Sequence, residues 1–511
     1  MPNVAVQDAV HPLVLALDMG TSSTRAIIFD RRGHALEGSE CQLEYELTTT
    51  ADGGAEVDPH VLFDLVGKSI DAVMMRHPVE IAAVGVACFW HSLMGVDAKG
   101  KPTTPIYLWA DTRSKEDVDA IKQEFDAHEL WQRTGCFVHS SYWTSKLRWL
   151  KRTQPDLVKR TATWCAFSDY LLRELFGAEG TSISMASSTA MMNATTHQWD
   201  EVAIKASSVD PQQLPEIRNE REPLDGLGSE YAARWPALAT CPWFRGIGDG
   251  ACANVGSGGI GPHRIALTVG TSGALRMVQP LPAGTTPDEP ESLWTYRLDD
   301  QRAVIGGAIS NGGKVIDWFG ELTGSAFDST AFQQAEVMAP DAHGLTILPF
   351  LAGERAPIWS DWATGSVVGL RLATNAADLI RASMEAVSYR LGLLYVDLAT
   401  QAEPDHQILA NGGAILRSEA WMQIIADVFQ HPVIALPPEE ESTARGAALL
   451  ALQYTRAIDS LTDADDPAGY GRTIDPDPNR GEIYRQAMDR QDRLHDLLYA
   501  HGKPRIDGDA R

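Results

Sequence analysis

Two stretches of this chain repeat one local design: an apolar run of strand length, a tight turn of Gly and small hydroxyl residues, and a second run leading away. The first is L-V-L-A-L-D-M-G-T-S-S-T-R-A-I-I-F-D, Leu13 to Asp30, and the second is I-A-L-T-V-G-T-S-G-A-L-R-M-V, Ile265 to Val278. Each reads as a β-hairpin. Gly admits unusual dihedrals and close approach, so such a turn can aim backbone N–H groups and hydroxyls at a phosphate. Either copy alone would be an ordinary hairpin, because short Gly motifs are common. Gly20 and Gly270 recur about 250 residues apart, which argues for two similar domains facing each other, each with one phosphate-gripping turn. That layout suits an ATP-binding cleft. Asp18 ends the first strand, where an acid in an apolar run costs desolvation unless it has a partner. A hydrated Mg²⁺ would be one.

A chain of 511 residues exceeds one ordinary core, so two large domains are expected. Hydrophobic content of 44% and charged content of 22% are those of a globular protein. The formal charge of −25 argues against nucleic acid or an anionic membrane as partner. An anionic substrate would therefore need local cations, backbone N–H groups or metal to attract it. Six widely spread cysteines without a C-x-x-C pair indicate neither a disulfide framework nor a zinc site, so a reducing cytoplasm is expected. The run Leu13 to Leu17, interrupted by Asp18, reads as a core strand rather than a signal peptide. No segment is long enough to span a bilayer.

Strands and helices alternate as far as Trp243, with an amphipathic helix over Pro59 to Met75 and a buried strand over Ile81 to Ala87. This favours an α/β architecture. A second apolar, Gly-rich series opens at Gly246, so the spacing predicts domains over 12–247 and 248–460 and a C-terminal extension over 461–511. In that extension Ile483, Met488, Leu494 and Leu497 predict a docked helix from Gly481 to Ala500. At the junction, G-I-G-D-G-A-C-A-N-V-G-S-G, Gly246 to Gly258, places Asp249 between glycines. It could be an ordinary Asp-Gly turn. Just upstream of the second phosphate turn, it reads instead as the candidate general base for a substrate hydroxyl.

These residues resemble the FGGY carbohydrate kinases, members of the actin-like and hexokinase-like ATPase superfamily. The D-x-G-T-S-S-x-R start, the hinge Gly-Asp-Gly and the later G-T-S turn carry the likeness. So does a C-terminal signature, G-S-V-V-G-L over Gly365 to Leu370 followed by D-L-I-R-A-S-M-E over Asp378 to Glu385. The N-terminal signature survives as K-L-R-W-L, Lys146 to Leu150, while Trp143 and Thr153 depart from the usual residue types. The likeness runs from about residue 13 to about residue 455. It implies two actin-like (ribonuclease H-like) ATPase domains with an interdomain active-site cleft, and ATP-dependent phosphorylation of a sugar hydroxyl. Asp249 would be the catalytic base, and Asp18 with Asp249 would hold Mg²⁺ mainly through water. Gly20, Thr21 and Ser22 would line one side of the phosphates and Gly270, Thr271 and Ser272 the other. A-N-G-G-A-I-L-R-S, Ala410 to Ser418, resembles the adenosine-side segment, implicating Gly412, Gly413 and Arg417. Asn311, Gly312 and Gly313 resemble a connecting segment beside it. On pattern alone, the first of these could be a strand-to-helix turn.

Substrate choice is expected in the N-terminal domain. C-F-W-H-S-L-M-G-V-D from Cys88, L-W-A-D-T-R-S from Leu108, R-T-G-C-F-V-H-S-S-Y-W from Arg133 and M-A-S-S-T-A-M-M-N from Met185 resemble the gluconokinase branch more than the xylulokinase branch. The resemblance implies substrate contacts from Trp90, His91, Asp111, Arg113 and His139, and conversion of D-gluconate to 6-phosphogluconate. The alternatives are a kinase for a neutral ketose or alditol and a non-catalytic actin-like ATP-binding protein. Bland readings stand beside each residue: a satisfied structural histidine at His91, a core residue at Trp109, an internal ion pair between Asp111 and Arg113. A buried carboxylate substrate needs a cationic partner, and Arg113, Lys146, His91 and His139 are the candidates. The partners implied are ATP and a small sugar or sugar acid. A closed homodimer is compatible with such a chain.

Overall fold

The first apolar run forms β1 (Val14–Met19), buried along its whole length, and turns back as β2 (Ser23–Phe29), with Val14 opposite Phe29 and Met19 opposite Thr24. The computed structural model describes residues 3–325, 327, 329–437 and 441–499. A third antiparallel strand, β3 (Cys41–Glu44), completes a meander. A parallel neighbour needs a long crossover, and helix α1 (Pro59–Arg76) supplies it. Its N-cap Asp58 accepts from the His60 N–H at 2.8 Å, with Pro59 in the first turn, a favourable start for a helix. β4 (Ala83–Cys88) then lies parallel to β1, and β5 (Ile247–Gly248) parallel to β4, giving the order β5-β4-β1-β2-β3. Between β4 and β5 the chain makes a long excursion that includes α2 (Trp143–Thr153). Helix α3 (Asp249–Gly256) follows β5 directly, with Asp249 as its first residue.

The second sheet repeats the plan. β6 (Arg264–Val269) and β7 (Gly273–Pro280) form the second hairpin, β8 (Trp294–Arg297) lies at an edge, and β9 (Arg302–Ile309) pairs antiparallel with both β7 and β8. A second excursion carries α4 (Gly313–Thr323) and α5 (Ala376–Ala399) before β10 (Gln407–Asn411) enters parallel to β6. Helix α6 (Glu419–Phe429) leads to β11 (Val433–Ala435), parallel to β10. Without β8 and the edge strand β12 (Arg472–Ile474), the order is β9-β7-β6-β10-β11: three antiparallel strands, then two parallel ones, as in the first sheet.

Helix α7 (Ser442–Tyr454), late in the chain, packs on β1 and β4 of the first sheet and crosses α3. A Cβ built on Gly256 would lie 1.7 Å from the Ser442 carbonyl oxygen, and one on Gly446 would lie 1.9 Å from that of Cys252. The two helices therefore meet backbone to backbone, and this contact fixes Asp249 between the lobes. The C-terminal helix α8 (Pro478–Tyr499) docks by a face that includes Met488 and Leu494, both partly buried against the core, but not the other two aliphatic residues that mark the helix. Ile483 and Leu497 are exposed, whereas Tyr484, Gln491, His495 and Tyr499 are buried. Gln491 donates to the Ile347 and Ala386 carbonyls and His495 meets Glu354, so polar pairing seats the helix. Ala500, the last residue of the expected helix, lies outside the described residues. No helix among the described residues is long and apolar enough to cross a membrane.

Candidate active site

Both Gly-Thr-Ser turns open into one cavity of about 450 Å³, which Thr21 and Ser22 line from the first lobe and Gly270, Thr271 and Ser272 from the second. The Gly20 N–H closes its own turn on the Ser23 carbonyl and the Gly270 N–H closes its turn on that of Ser272, each at 2.9 Å. The hydroxyl residues are thereby left at the cavity wall.

Asp249 lines the same cavity. Its Oδ1 accepts from the Gly250 N–H at 2.7 Å and the Trp90 N–H at 3.3 Å. Burial pushes its carboxyl up, while those N–H groups and the charges of Arg276 and Arg355 oppose the rise. Asp18 lies behind the first turn, 3% exposed. Burial raises it to about 7; Arg25, at 3.4 Å, lowers it, and Asp249 and Glu441 raise it further. Asp18 and Glu441 thus share the Arg25 guanidinium, with the Asp249 charge close enough to be felt at Asp18. This is an oxygen-donor set with surplus negative charge, which fits a hard divalent cation such as Mg²⁺.

Trp90 and His91, at the end of β4, form one wall. His91 sits at φ 66°, a conformation that costs a non-glycine residue about 1–3 kcal/mol and is concentrated at functional positions. Its Nδ1–H donates to the Ser188 carbonyl at 2.6 Å, which leaves Nε2 as an acceptor. Burial pushes its pKa down to about 3, so the ring is neutral. Tyr142, Trp294, Tyr296 and Trp359 add aromatic surface. Trp294 and Tyr296 stack at 4.0 Å, and the Tyr142 and Tyr296 hydroxyls hydrogen-bond across the lobes at 2.6 Å.

Arg276, on β7, and Arg355, on the excursion after β9, line the cavity as well. Arg276 donates to Thr268 Oγ1 at 3.1 Å; Arg355 donates to the Ile309 carbonyl at 3.3 Å and stacks over Trp109 at 4.5 Å. Sequence reasoning singled out neither. Arg276 stood inside the quoted second hairpin as a lone cation in an apolar run, and that was the available signal. Trp109 and Arg355 separate this cavity from a larger one of about 750 Å³ between the lobes, on which His139 and Asp361 also border.

On the second lobe, Gly313 donates to the Gly270 carbonyl at 2.8 Å and Gly312 to that of Thr271 at 2.9 Å. Gly412 has φ 105°, and a Cβ there would meet the Val269 oxygen at 2.4 Å. The segments around Gly270, Gly313 and Gly412 thus form one glycine cradle that side chains would fill. Beside it, α4 borders a cavity of about 460 Å³ lined by Lys314, Asp317, Gly320, Glu321 and Phe327. Arg417 stacks over Phe327 at 4.6 Å and donates to the Gly413 carbonyl at 2.8 Å.

Three of the expected substrate contacts stand elsewhere. Asp111 and Arg113 pair with each other, Arg113 also reaching Glu56, and Asp111 accepts from the Ala55 N–H. With both charges spent internally, neither lines the cavity, which corrects the expectation of sugar contact. His139 lies in the wall of the larger cavity and pairs with Asp361 at 3.1 Å. Lys146 is buried and spends its ammonium on the Ser140 and Ser141 carbonyls at 2.7 and 2.6 Å.

The FGGY family of carbohydrate kinases matches this chain twice, its N-terminal domain over residues 13–256 and its C-terminal domain over 265–453. A gluconokinase of Bacillus subtilis (strain 168) is 31% identical over 488 residues, covering 93% of this chain and 94% of that protein. Among solved structures, a ligand-bound xylulose kinase from Lactobacillus acidophilus superposes with a TM-score of 0.86 at 27% identity, covering 96% of this chain and 99% of its own. A gluconate kinase from the same organism superposes with a TM-score of 0.85 at 27% identity, covering 95% and 98%. With twin sheets, twin phosphate turns and a carboxylate between them, this chain belongs to the FGGY family of carbohydrate kinases, phosphotransferases that act on an alcohol group.

Proposed function

We propose that this kinase transfers the γ-phosphoryl group of ATP to a hydroxyl of a sugar acid, D-gluconate, giving 6-phosphogluconate. The observation that carries the reading is the position of Asp249. Its carboxylate faces a polyol-sized cavity between the two phosphate turns, at the start of α3, the helix that meets α7 backbone to backbone further along. Gluconate as the acceptor is supported by the gluconokinase relative.

In this reading the sugar packs its C–H faces against Trp90, Trp294 and Tyr296, and His91 Nε2 accepts from one of its hydroxyls. The reacting hydroxyl donates to Asp249, which orients it and takes its proton as the new O–P bond forms and the bond from the γ-phosphorus to the bridging oxygen breaks, releasing ADP. Thr21, Ser22, Thr271 and Ser272 supply hydroxyl and N–H donors to the phosphates. The nucleoside occupies the cavity beside α4, approached from the Gly412–Gly413 turn by Arg417, which stacks on its wall residue Phe327. Asp18 and Asp249 would hold Mg²⁺, mainly through water; when bound, it supplies positive charge to the β- and γ-phosphates. Aromatic walls and lobe closure exclude water from the transfer.

The test is ADP release with Mg-ATP across D-gluconate, D-xylulose, D-ribulose, L-ribulose, glycerol and erythritol. The expected result is a kcat/KM for D-gluconate well above the rest. A clear preference for a neutral sugar would reject gluconate and leave the kinase assignment intact.

A further inference from the structure

The four cations that the sequence offers for a substrate carboxylate are all unavailable. Arg113 is held by Asp111 and Glu56, and Lys146 by two backbone carbonyls. Burial keeps His91 and His139 neutral, with pKa values pushed down to about 3 and about 4. An anion of this size still requires positive charge, because an unpaired buried carboxylate is strongly disfavoured.

The cavity carries that charge on two other residues. Its charged side chains are Asp249, Arg276 and Arg355, an excess of one positive charge. No carboxylate of the described residues forms an ion pair with either arginine. Burial lowers both guanidiniums, Arg276 to about 10, as expected of cations without enough negative charge around them. The unsatisfied hydrogen-bonding atoms point the same way. Among the cavity-lining residues, the buried polar atoms without a partner are Arg276 Nε, Arg355 Nε and Trp359 Nε1. All three are donors. A neutral polyol brings hydroxyls that both donate and accept, whereas a carboxylate only accepts, and guanidinium forks match its geometry.

We infer that Arg276 and Arg355 together form the carboxylate subsite that selects a sugar acid over the polyol of the same carbon skeleton. This rests on the kinase reading above and deepens it. Both arginines belong to the second lobe, while Trp90 and His91 belong to the first. A bound sugar acid therefore spans the lobes, and its carboxylate helps hold them together.

The test compares kcat/KM for D-gluconate and for D-glucitol, which carries CH₂OH in place of the carboxylate, in wild type, Arg276→Gln and Arg355→Gln. The expected result is a gluconate-to-glucitol ratio reduced about 100-fold in each variant, the scale of losing one charge-assisted pair. Arg276→Lys and Arg355→Lys should recover part of it. A ratio unchanged by both Gln variants, with the two substrates falling in parallel, would mean the arginines serve the phosphoryl group and would overturn the subsite. Calorimetric titration of aldonates and their alditols needs no turnover. Aldonate binding weakened at least about tenfold by the Gln variants supports the subsite even where gluconate is not phosphorylated. Equal binding of both classes to wild type overturns it.

Discussion

Nε2–H of His139, in the first lobe, donates to the Asp361 carboxylate of the second at 3.1 Å. The tautomer follows from the other nitrogen, since His139 Nδ1 accepts from the Ser141 N–H at 3.1 Å. Asp361 also accepts from the Ser140 N–H at 3.3 Å and from the Ser140 hydroxyl. Nearby, Trp359 stacks on Phe137 with centroids 4.5 Å apart, and Arg355 lies over Trp109. The segment from Arg355 to Asp361 is thus a strap from one lobe to the other, passing over the sugar cavity.

This contact sets a pH dependence. Burial pushes the His139 pKa from its ordinary 6.5 down to about 4; Asp361 raises it, while Lys122, Arg355 and Lys146 lower it. Between about 6.5 and about 4 the unfolded chain takes up a proton here and the folded chain does not. Stability is therefore lost as pH falls through that window and is flat above it. At about 1.4 kcal/mol per unit, the loss is on the order of 3 kcal/mol. Urea unfolding of wild type and His139→Gln at pH 7.5, 6 and 5 should show a gap that shifts by about 2 kcal/mol in favour of the variant by pH 5, the part of the window already crossed there. A constant gap would contradict the assignment.

The α3–α7 crossing admits no side chain. Gly446→Ala would place Cβ 1.9 Å from the Cys252 carbonyl oxygen, so one helix must shift. The expected cost is about 1–3 kcal/mol or more, with a fall in kcat because α3 begins at Asp249. Denaturant unfolding and steady-state assays check the two effects. Unaltered stability would show that the backbones are not in contact.

The C-terminal signature acts through the core. Glu385, fully buried on α5, accepts from Arg381 Nε at 2.6 Å, from Tyr389 at 2.9 Å and from His343 at 3.0 Å. Burial pushes its carboxyl up, but the His343 hydrogen bond and the Arg381 charge outweigh burial and hold it below the ordinary range. Arg381→Met leaves that charge without its guanidinium partner and should cost about 3–5 kcal/mol. Unfolding free energy measures it, and a loss below about 1 kcal/mol would show that Arg381 is dispensable.

The hairpins and the hinge acid were legible because their signals are local. Strand, Gly turn and strand are contiguous around Gly20 and Gly270, and Asp249 is flanked by glycines that mark a turn. Asp111 and Arg113, two residues apart, already offered the internal pair that the structure contains. Arg355 left no such trace: it lies in a loop without periodicity and reaches the sugar cavity only through the strap. The partner of His139 stands more than 200 residues away, so no window of sequence could connect them. On α8 the aliphatic spacing marked the helix and, at Met488 and Leu494, part of its packed face, while Ile483 and Leu497 stay exposed because Gln491 and His495 are buried by specific polar pairs.

The most direct measurement is the Mg-ATP-dependent turnover of D-gluconate by Asp249→Asn beside its affinity for ATP. Asparagine keeps an oxygen to accept from the Gly250 and Trp90 N–H groups but cannot take the hydroxyl proton. The expected result is a kcat lower by about 10²–10⁴-fold with the Kd for ATP within about twofold. Turnover near that of wild type would contradict the role of Asp249 and, with it, the proposed chemistry.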